Sequence, residues 1–399
     1  MDAERVLGTH WLEPLMPVFP SEILNLAEQV PFQAGKLSAL VSPPMLRRVG
    51  GLLRVTSSFY SNLIEGQFTE PVTLAPTSPK RHRKELTELA MTHIGTQEAF
   101  ERALSIHKGL SWEALFSPEF VTRLHKRLFY GTSEEQLTLS DGSQLVPGEL
   151  RNVTGREVLV GNHAAPHCQS IAPMLDRMQQ VYGRLPDARS RLISVMAFHH
   201  RLAWVHPFVD GNGRTIRLLT HLQMQKLGLV SPLWSLSRGL ARQQESYYAR
   251  LANADKPRRG DLDGRGQLTQ AGLFEFVGFM LETCLDQMRY TERALNIANM
   301  RERLHSIFVW NERLKMAGVK PEVARALHVL LTQGTLSRAD FKIFTGLSDR
   351  VATDQLKSLV QLGLVESATP KARDLYPGLP IWFAQLLFPD LHQRMTNAI

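Results

Sequence analysis

Residues 206–217 constrain the fold of this chain more than any other stretch. They read His206-Pro207-Phe208-Val209-Asp210-Gly211-Asn212-Gly213-Arg214-Thr215-Ile216-Arg217. Apolar residues at helical spacing precede the stretch over 187–204, and the same spacing continues after it at Ile216, Leu219, Leu222 and Leu227. The stretch therefore predicts a loop between two helices. The chain has 399 residues, 43% of them apolar and 21% charged, which is enough for two or three globular domains.

The second half of this loop has the composition of an anion site. Gly211 and Gly213 lie where the second helix begins, and glycines let backbone N–H groups converge on an anion. A helix N-terminus adds a favourable field for negative charge. Arg214 and Arg217 are three residues apart, so they share one helix face and could clamp the outer phosphates of a triphosphate. Phosphate is therefore the expected ligand.

The first half of the loop carries Asp210 and His206. A single carboxylate beside phosphates is a typical Mg²⁺ anchor, because Mg²⁺ keeps several waters and shares phosphate oxygens. The imidazole of His206 could take a proton from an attacking hydroxyl. The stretch contains no candidate nucleophile, which favours direct in-line transfer over a covalent intermediate. Each residue alone also fits a structural role, but the order of the whole string favours a nucleotide site.

A second segment carries an unusual carboxylate. Apolar residues at helical spacing, Leu52, Val55, Phe59 and Leu63, predict a helix that Gly66 stops. Glu65 then lies in the last turn, where a negative charge opposes the helix dipole by about 0.3–1 kcal/mol. Either Glu65 is a solvated surface residue, or a cation from elsewhere in the chain pairs with it.

The remaining sequence predicts mostly helices, with one irregular stretch and a distinct C-terminal part. Further helices are expected over 84–107, 118–129, 170–183 and 268–314. The irregular stretch, 131–167, contains a short β-like run at Val158, Leu159 and Val160. Near the C-terminus, three helical patterns and a turned strand-like segment favour a winged helix-turn-helix over 323–333, 337–345, 348–362 and 363–371.

Together these motifs resemble the Fic protein family. Residues 206–217 match the family signature, H-x-F-x-[D/E]-G-N-G-R-x-x-R, at every defined position. Ser61 to Gly66 fits the family's inhibitory pattern, [S/T]-x-x-x-E-[G/N], and Pro147 to Pro166 resembles its flap region. The C-terminal part, with Thr345-Gly346-Leu347-Ser348 and Thr369-Pro370-Lys371, is similar to the tail of many bacterial Fic proteins.

The resemblance implies a mainly α-helical fold: a Fic-type helical core with a short β-hairpin flap, followed by a C-terminal winged helix-turn-helix domain. It implies an N-terminal helical region over 1–110, which carries the inhibitory helix at about 45–66. The catalytic core would cover 111–300 and the winged helix 310–399.

The resemblance also implies an activity, the transfer of AMP from ATP to a Ser, Thr or Tyr hydroxyl of a target protein and of the enzyme itself. His206 would be the general base, Asp210 would hold Mg²⁺, and Phe208 would anchor the loop in the core. The flap would align the target by strand addition. ATP would be bound by Gly211, Asn212, Gly213, Arg214, Thr215 and Arg217, by Val160 and Gly161 of the flap, and by Tyr247 and Tyr248 near adenine. Ser61 and Glu65 would be inhibitory, with Glu65 paired to Arg217.

Other interpretations stay open at this level. A Fic protein of the inhibited kind could instead remove AMP, and the winged helix could make the chain a DNA-binding regulator. The helix over 348–362 carries Arg350 and Lys357 but also Asp354, which are few basic residues for contacts with DNA phosphates. A protein partner therefore fits equally well. A homodimer is also plausible.

The cellular compartment is predicted from composition and termini. The two cysteines, Cys168 and Cys284, show no metal-ligand spacing, and the N-terminus has no apolar run, which together favour the cytoplasm and no membrane contact. The net charge of +8 fits a polyanionic partner as well as a plain basic protein.

Overall fold

The computed structural model describes residues 7–40, 57–66, 84–105, 109–139, 141–152, 159–160, 163–230, 234–294 and 297–387. The prediction of a mainly α-helical chain is confirmed. The described residues form two compact units. The first draws on Met1–Gln33, Arg54–Val230 and Ser235–Gln287, and the second on Ala34–Leu53, Ser231–Trp234 and Met288–Ile399.

The first unit contains the loop at 206–217. The elements that matter for the site are helices α1 to α10 and strands β1 and β2. In chain order they are α1 (Ser21–Ala39), α2 (described over 57–64), α3 (Lys84–Ser105), α4 (Pro118–Leu128), β1 (Leu159–Val160), β2 (His163–Ala164), α5 (Cys168–Tyr182), α6 (Ala188–Val205), α7 (Asn212–Lys226), α8 (Leu236–Arg242), α9 (Gln244–Ala254) and α10 (Gln270–Ala294). β1 and β2 pair antiparallel, with Val160 opposite His163.

The loop lies between two helices that pack against each other, α6 and α7. Asp187 caps α6 by accepting a hydrogen bond from the Ser190 N–H, and α6 ends at His206, which has a left-handed backbone with φ 48°. The next helix starts after Gly211, whose φ is 79°. α6 is buried almost all round, so the chain on both sides of the loop is fixed in the core of this unit.

One helix of the first unit was not predicted. None of the helices expected from apolar spacing covers α1, which runs for 19 residues and contains Pro31. Proline normally breaks a helix interior, because it lacks an N–H and its ring clashes with the preceding turn. Burial of Ile23, Ala27, Val30 and Leu37 on one side of α1 offsets that penalty.

The second unit contains a helix cluster and a small sheet. Its elements are α11 (Ile297–Trp310), α12 (Glu312–Met316), α13 (Val323–Gln333), β3 (Leu336–Ser337), α14 (Arg338–Thr345), α15 (Asp349–Gln361), β4 (Val365–Glu366), β5 (Asp374–Pro377) and α16 (Ile381–Leu387). The sheet has the order β3-β5-β4, and both pairs are antiparallel. Its core includes Phe308, Leu327, Phe341, Leu356 and Phe383.

None of the described helices has both the length and the apolar character that a membrane crossing needs.

Candidate active site

The loop at 206–213 is closed on itself by Asn212. The Asn212 side chain accepts a hydrogen bond from the Phe208 N–H at 3.0 Å and donates one to the Phe208 C=O at 2.8 Å. Both ends of the amide are therefore used inside the loop. Asn212 contributes its backbone to the start of α7, while its side chain sets the shape of the turn that precedes it.

His125, on α4, contacts the loop through its ring and through hydrogen bonds. Its ring stacks on Phe208 with the ring centroids 3.8 Å apart. Its Nδ1 accepts a hydrogen bond from the Gly148 N–H at 2.8 Å, so Nε2 carries the proton and donates to the Asp210 C=O at 2.9 Å. Burial lowers the pKa of His125 to about 4, which keeps the ring neutral and this pattern intact near neutral pH.

Arg151 holds the loop from the other side. Its Nε donates to the His206 C=O at 2.6 Å, and its Nη2 donates to the carbonyls of Pro166 and Val205. Its backbone N–H also donates to the Pro207 C=O at 2.8 Å. Because the side chain is only 7% exposed, these carbonyls replace water as its hydrogen-bond partners.

The start of α7 is where an anion would bind, and Glu65 already lies there. Gly211, the N-cap of α7, has no side chain of its own to bond to the first N–H groups of the helix. A Cβ built on Gly213 would overlap the Glu65 carboxylate, which shows how closely that carboxylate approaches the helix start. Glycine at 213 is therefore required for the contact.

Arg217 holds the same carboxylate. Its Nη2 lies 2.7 Å from Glu65 Oε1 and 2.8 Å from the Ser61 C=O, and its Nε donates to Ser61 Oγ at 3.0 Å. The Arg217 side chain is 2% exposed, whereas 33% of the Glu65 side chain is exposed. The carboxylate therefore enters from the open side of the site, against a guanidinium that is fixed in the core.

Opposing effects set the pKa of Glu65. Burial raises the pKa, but attraction to Arg217, helped by Arg214 and His206, outweighs burial and lowers the pKa below its usual 4.5. For Arg217, burial lowers the pKa, and attraction to Glu65 outweighs it and raises the pKa. Both groups are therefore charged at neutral pH.

Arg214 is a buried cation, and little negative charge lies in direct contact with it. Its nearest carboxylate oxygen belongs to Asp210 at 3.4 Å, and the Asp210 side chain is 56% exposed. Its guanidinium lies over the Phe129 ring at 4.7 Å. Burial lowers the pKa of Arg214, which reflects the unfavourable free energy of holding its charge there. An anion that replaced Glu65 would offset this unfavourable free energy.

His206 is neutral in this environment. Burial lowers its pKa to about 4, and repulsion by Arg151 and His163 acts in the same direction. A neutral imidazole can accept a proton, so the first requirement of a general base is met at physiological pH.

α2 is held against the site at its C-terminal end. The Tyr248 hydroxyl and the Gln244 side chain both donate to the Ile64 C=O, each at 3.1 Å. Tyr60 and Ile64 are buried. In contrast, both polar atoms of the Asn62 side chain are buried without a partner among the described residues.

Comparison with known proteins identifies the surrounding domain. The model of the Fic/DOC family matches residues 115–224, a range that contains α4, the 144–152 segment, β1 and β2, the loop and most of α7. The loop residues described above lie inside this match. The chain therefore contains a Fic/DOC family domain over residues 115–224.

Known Fic proteins show partial likeness in sequence. "Protein adenylyltransferase Fic" of Drosophila persimilis is 30% identical over 110 residues, which are 27% of this chain and 20% of that protein. The Drosophila virilis protein of the same name is 30% identical over 130 residues, or 30% of this chain and 26% of that protein. The chain thus matches about a fifth to a quarter of the length of these curated relatives.

Solved Fic structures are similar in fold over a longer range. A Fic family protein from Desulfovibrio desulfuricans G20 has a TM-score of 0.53 and 19% identity, and the match covers 91% of this chain and 98% of that one. Fic-1 from C. elegans (residues 134–508 of that protein) has a TM-score of 0.51 and 18% identity, covering 69% of this chain and 73% of that one. At these identities the likeness shows the Fic fold alone.

The structure brings most of the predicted Fic site residues together. Ser61, Glu65, Gly213, Arg214 and Arg217 meet at the start of α7, and His206 and Asp210 belong to the adjoining loop. Of the predicted flap contacts, Gly161 lies outside the described residues. Val160 is described only as part of β1.

Two residues predicted to contact ATP have other hydrogen-bond partners in this structure. The Thr215 hydroxyl is buried and donates to the Gly211 C=O at 2.8 Å, so it is not available to a phosphate. Tyr247 is 3% exposed and its hydroxyl bonds to His199 at 2.8 Å, so in this conformation it has almost no surface for adenine. Tyr248, at 44% exposed, still has such a surface.

Two residues that position the Fic loop, His125 and Arg151, were not predicted from the sequence. Their partners lie 85 and 55 residues further along the chain, at Asp210 and His206. A lone histidine in a helix and an arginine in an irregular stretch carry no local signal of such contacts. Only the composition of 147–152, which resembled the family's flap region, pointed to this part of the chain.

Proposed function

We propose that this Fic protein is a protein adenylyltransferase that transfers AMP from ATP to a Ser, Thr or Tyr hydroxyl of a target protein. The observation that carries the proposal is the Glu65 carboxylate at the start of α7, paired with Arg217. A carboxylate held by a guanidinium at a helix N-terminus marks a place built for an anion. In the proposed reaction the anion is the triphosphate of ATP. The name of the Drosophila relatives supports the same activity.

In the proposed reaction one bond to phosphorus forms and one breaks. The hydroxyl oxygen of the target forms a bond to the α-phosphorus of ATP, and the bond from that phosphorus to the β-phosphate oxygen breaks. Neutral His206 takes the hydroxyl proton, and pyrophosphate leaves. Arg214 and Arg217 stabilise the negative charge on the phosphates, and backbone N–H groups at the start of α7 help to orient them.

Magnesium would be held by Asp210. Among the described residues, no group of three or more His, Cys, Asp or Glu side chains could hold a metal by itself. An exposed single carboxylate fits a metal ion that takes its other ligands from phosphate and water, as Mg²⁺ does. The ion would offset phosphate charge, and Asp210 would place it at the mouth of the loop.

Autoinhibition follows from the competition for Arg217. While Glu65 holds this guanidinium, the outermost phosphate of ATP lacks its cation and the nucleotide binds in an unproductive pose. Withdrawal of α2 would free Arg217 and leave two guanidiniums, Arg214 and Arg217, facing the nucleotide. Ser61 helps to keep Arg217 aligned in the inhibited state.

The partner and location predictions extend this proposal. The β1–β2 pair would present an edge to the target as a flap.

In the second unit, α13, α14, α15 and the β3-β5-β4 sheet support a winged helix-turn-helix. Lys342 and Lys357 are paired with Asp349 and Asp354, however, rather than free for phosphates. A DNA or protein partner, a homodimer, the domain boundaries and the cytoplasmic location stay predictions.

The proposed function is tested by labelling with ATP that carries a labelled α-phosphate. The Glu65→Gly protein should incorporate label into itself and into proteins of a lysate. In the same background, His206→Ala should reduce labelling by roughly 10²–10⁴-fold, the usual contribution of a positioned base. Mass spectrometry should find an added AMP group on a hydroxyl. Undiminished labelling in the double variant would remove His206 as the base, and no labelling by Glu65→Gly would reject the function.

The reverse reaction is the second candidate, because the Glu65 carboxylate approaches Gly213, at the end of the loop that carries His206. In that case Glu65 would align a water molecule, and the wild type would release AMP from a modified protein. Release by the wild type that Glu65→Gly loses would favour this direction.

A further inference from the structure

A pocket whose lining is half apolar opens beside the loop at 206–213, called the catalytic loop below. Its volume is about 170 Å³, and its apolar lining comes from Leu139, Leu145, Val146, Leu150 and Val209. Nothing in the proposed nucleotide site uses this pocket. Val209 links the two, because it lies in the loop between His206 and Asp210.

The outer wall of the pocket is a tight turn of the chain. The Leu139 N–H donates to the Ser143 C=O and the Leu145 N–H donates to the Leu137 C=O, both at 2.8 Å. A bridge between Thr138 and Gln144 joins the two sides of this turn. The wall is thus a locally closed structure with its own hydrogen bonds.

The inner wall is fixed to the catalytic loop by the contacts that position the loop itself. The Gly148 N–H donates to His125, which also bonds to Asp210. Arg151 lines the pocket and donates to the His206 C=O. The pocket therefore keeps one position relative to the base at His206.

The size of the pocket matches one side chain. An engineered apolar cavity of about 150 Å³ holds a benzene molecule, so a pocket of 170 Å³ can hold the side chain of Leu, Met or Phe. Two of its rim residues are large apolar side chains left in water, Val146 at 52% exposed and Val209 at 42%. Covering them with another apolar group would be favourable.

The chemistry of the lining excludes a phosphate as the occupant. The Arg151 guanidinium already donates to three carbonyls, and Glu149 adds a carboxylate to the lining. A neutral apolar group fits better. When a peptide adds as a strand to a sheet edge, its side chains alternate in direction, and pockets for alternate side chains give specificity.

We propose that this pocket is a specificity subsite, which accepts one apolar side chain of the target segment at a fixed offset from the hydroxyl that is modified. The proposal rests on the adenylyltransferase function above and adds a substrate class to it. The target is a segment in which Ser, Thr or Tyr has an apolar neighbour.

The test uses the full-length Glu65→Gly protein, ATP labelled at the α-phosphate, and a library of peptides. Each peptide has one central Ser, Thr or Tyr and randomised flanking positions, and labelled peptides are sequenced by mass spectrometry. At one offset, Leu, Ile, Met or Phe should be enriched roughly tenfold over Ala, the discrimination that a hydrophobic pocket gives. Enrichment at no offset overturns the subsite.

A charge at the rim should then change the preference. Val146→Glu, at an exposed position, should reduce the apolar enrichment and favour Lys or Arg at the same offset. Leu262→Glu is the matched control, because Leu262 is fully exposed and lies outside the pocket. An unchanged preference in a folded Val146→Glu protein overturns the proposal. If the Glu65→Gly protein labels itself but the labelled peptides show no apolar preference, the subsite alone is overturned. If it labels neither itself nor any peptide, the function and the subsite are overturned together.

Discussion

The loop at 206–213 and the end of α2 meet at the start of α7, but they are held in different ways. The side chains of Asn212, His125 and Arg151 all bond to backbone groups of the loop or of the residue before it. In α2, the buried amide of Asn62 has no partner among the described residues, and Glu65 reaches Arg217 from the open side of the site. The loop thus has its side-chain hydrogen bonds satisfied, whereas α2 keeps one buried amide that no described residue satisfies. On the proposed function, α2 is the part that is displaced.

The largest expected effect comes from loosening the loop. Arg151→Ala in the Glu65→Gly background removes the donors to the His206, Pro166 and Val205 carbonyls. We expect kcat to fall roughly 100-fold, the effect of a displacement of about 1 Å at the reacting atoms. The KM for ATP should change much less, since Arg151 lies outside the proposed phosphate cradle.

The control for this variant is Arg184→Ala, which removes an exposed arginine that pairs loosely with Glu113 at 3.6 Å. It should leave kcat unchanged. If Arg151→Ala labels as fast as its parent while remaining folded, the loop does not depend on this clamp.

A smaller effect should follow from strengthening α2. Asn62→Leu replaces an unpaired buried amide by an apolar group of similar size, which removes a desolvation penalty of about 1–3 kcal/mol. The inhibited state should become more stable, with a higher Tm and labelling by the otherwise wild-type protein reduced by about fivefold or more. In the Glu65→Gly background the same substitution should have little effect, because the contact that it reinforces is already broken. Equal slowing in both backgrounds would contradict a role of α2 in inhibition.

The smallest expected effect is that of pH between 6 and 8. Since the pKa of His206 is lowered to about 4, the base is already neutral throughout this range and kcat/KM for ATP in Glu65→Gly should stay flat. A base with the ordinary pKa of 6.5 would lose roughly fourfold by pH 6. A decline of that size would show that His206 does not act from the described environment.

Inhibition should be equally insensitive to pH in this range. The pKa of Glu65 is lowered below 4.5, so the stabilisation from its pairing with Arg217 is present above pH 4.5 and is lost only as the pH falls below that value. The wild type should therefore remain inhibited from pH 8 to pH 6, as its labelling rate would show.

The sequence predicted what depends on local pattern. The loop between two helices follows from apolar spacing and glycines, whereas the unfavourable position of Glu65 at a helix end left open whether it is a solvated residue or pairs with a distant cation. Contacts across the fold could not be predicted in this way, because His125 and Arg151 find their partners only when α4 and the 144–152 segment pack beside the loop.

Similar residues also acquired different environments that the sequence does not distinguish. Tyr247 and Tyr248 are neighbours on α9, yet the first is buried against His199 and the second is half exposed beside α2. Thr215 is in the first turn of α7, where its hydroxyl bonds back to Gly211 instead of facing a ligand. Helix phase and packing decide such cases, and neither is fixed by the motif alone.

On the proposed function, Glu65 occupies the place of a phosphate and thereby restrains a protein adenylyltransferase. The most direct measurement compares the rates at which the wild type, Glu65→Gln and Glu65→Gly incorporate label from α-labelled ATP. Loss of a charge-assisted hydrogen bond worth about 1.5–3 kcal/mol predicts that Glu65→Gly labels at least about tenfold faster than wild type, with Glu65→Gln between them. Equal rates for all three proteins would contradict the claim.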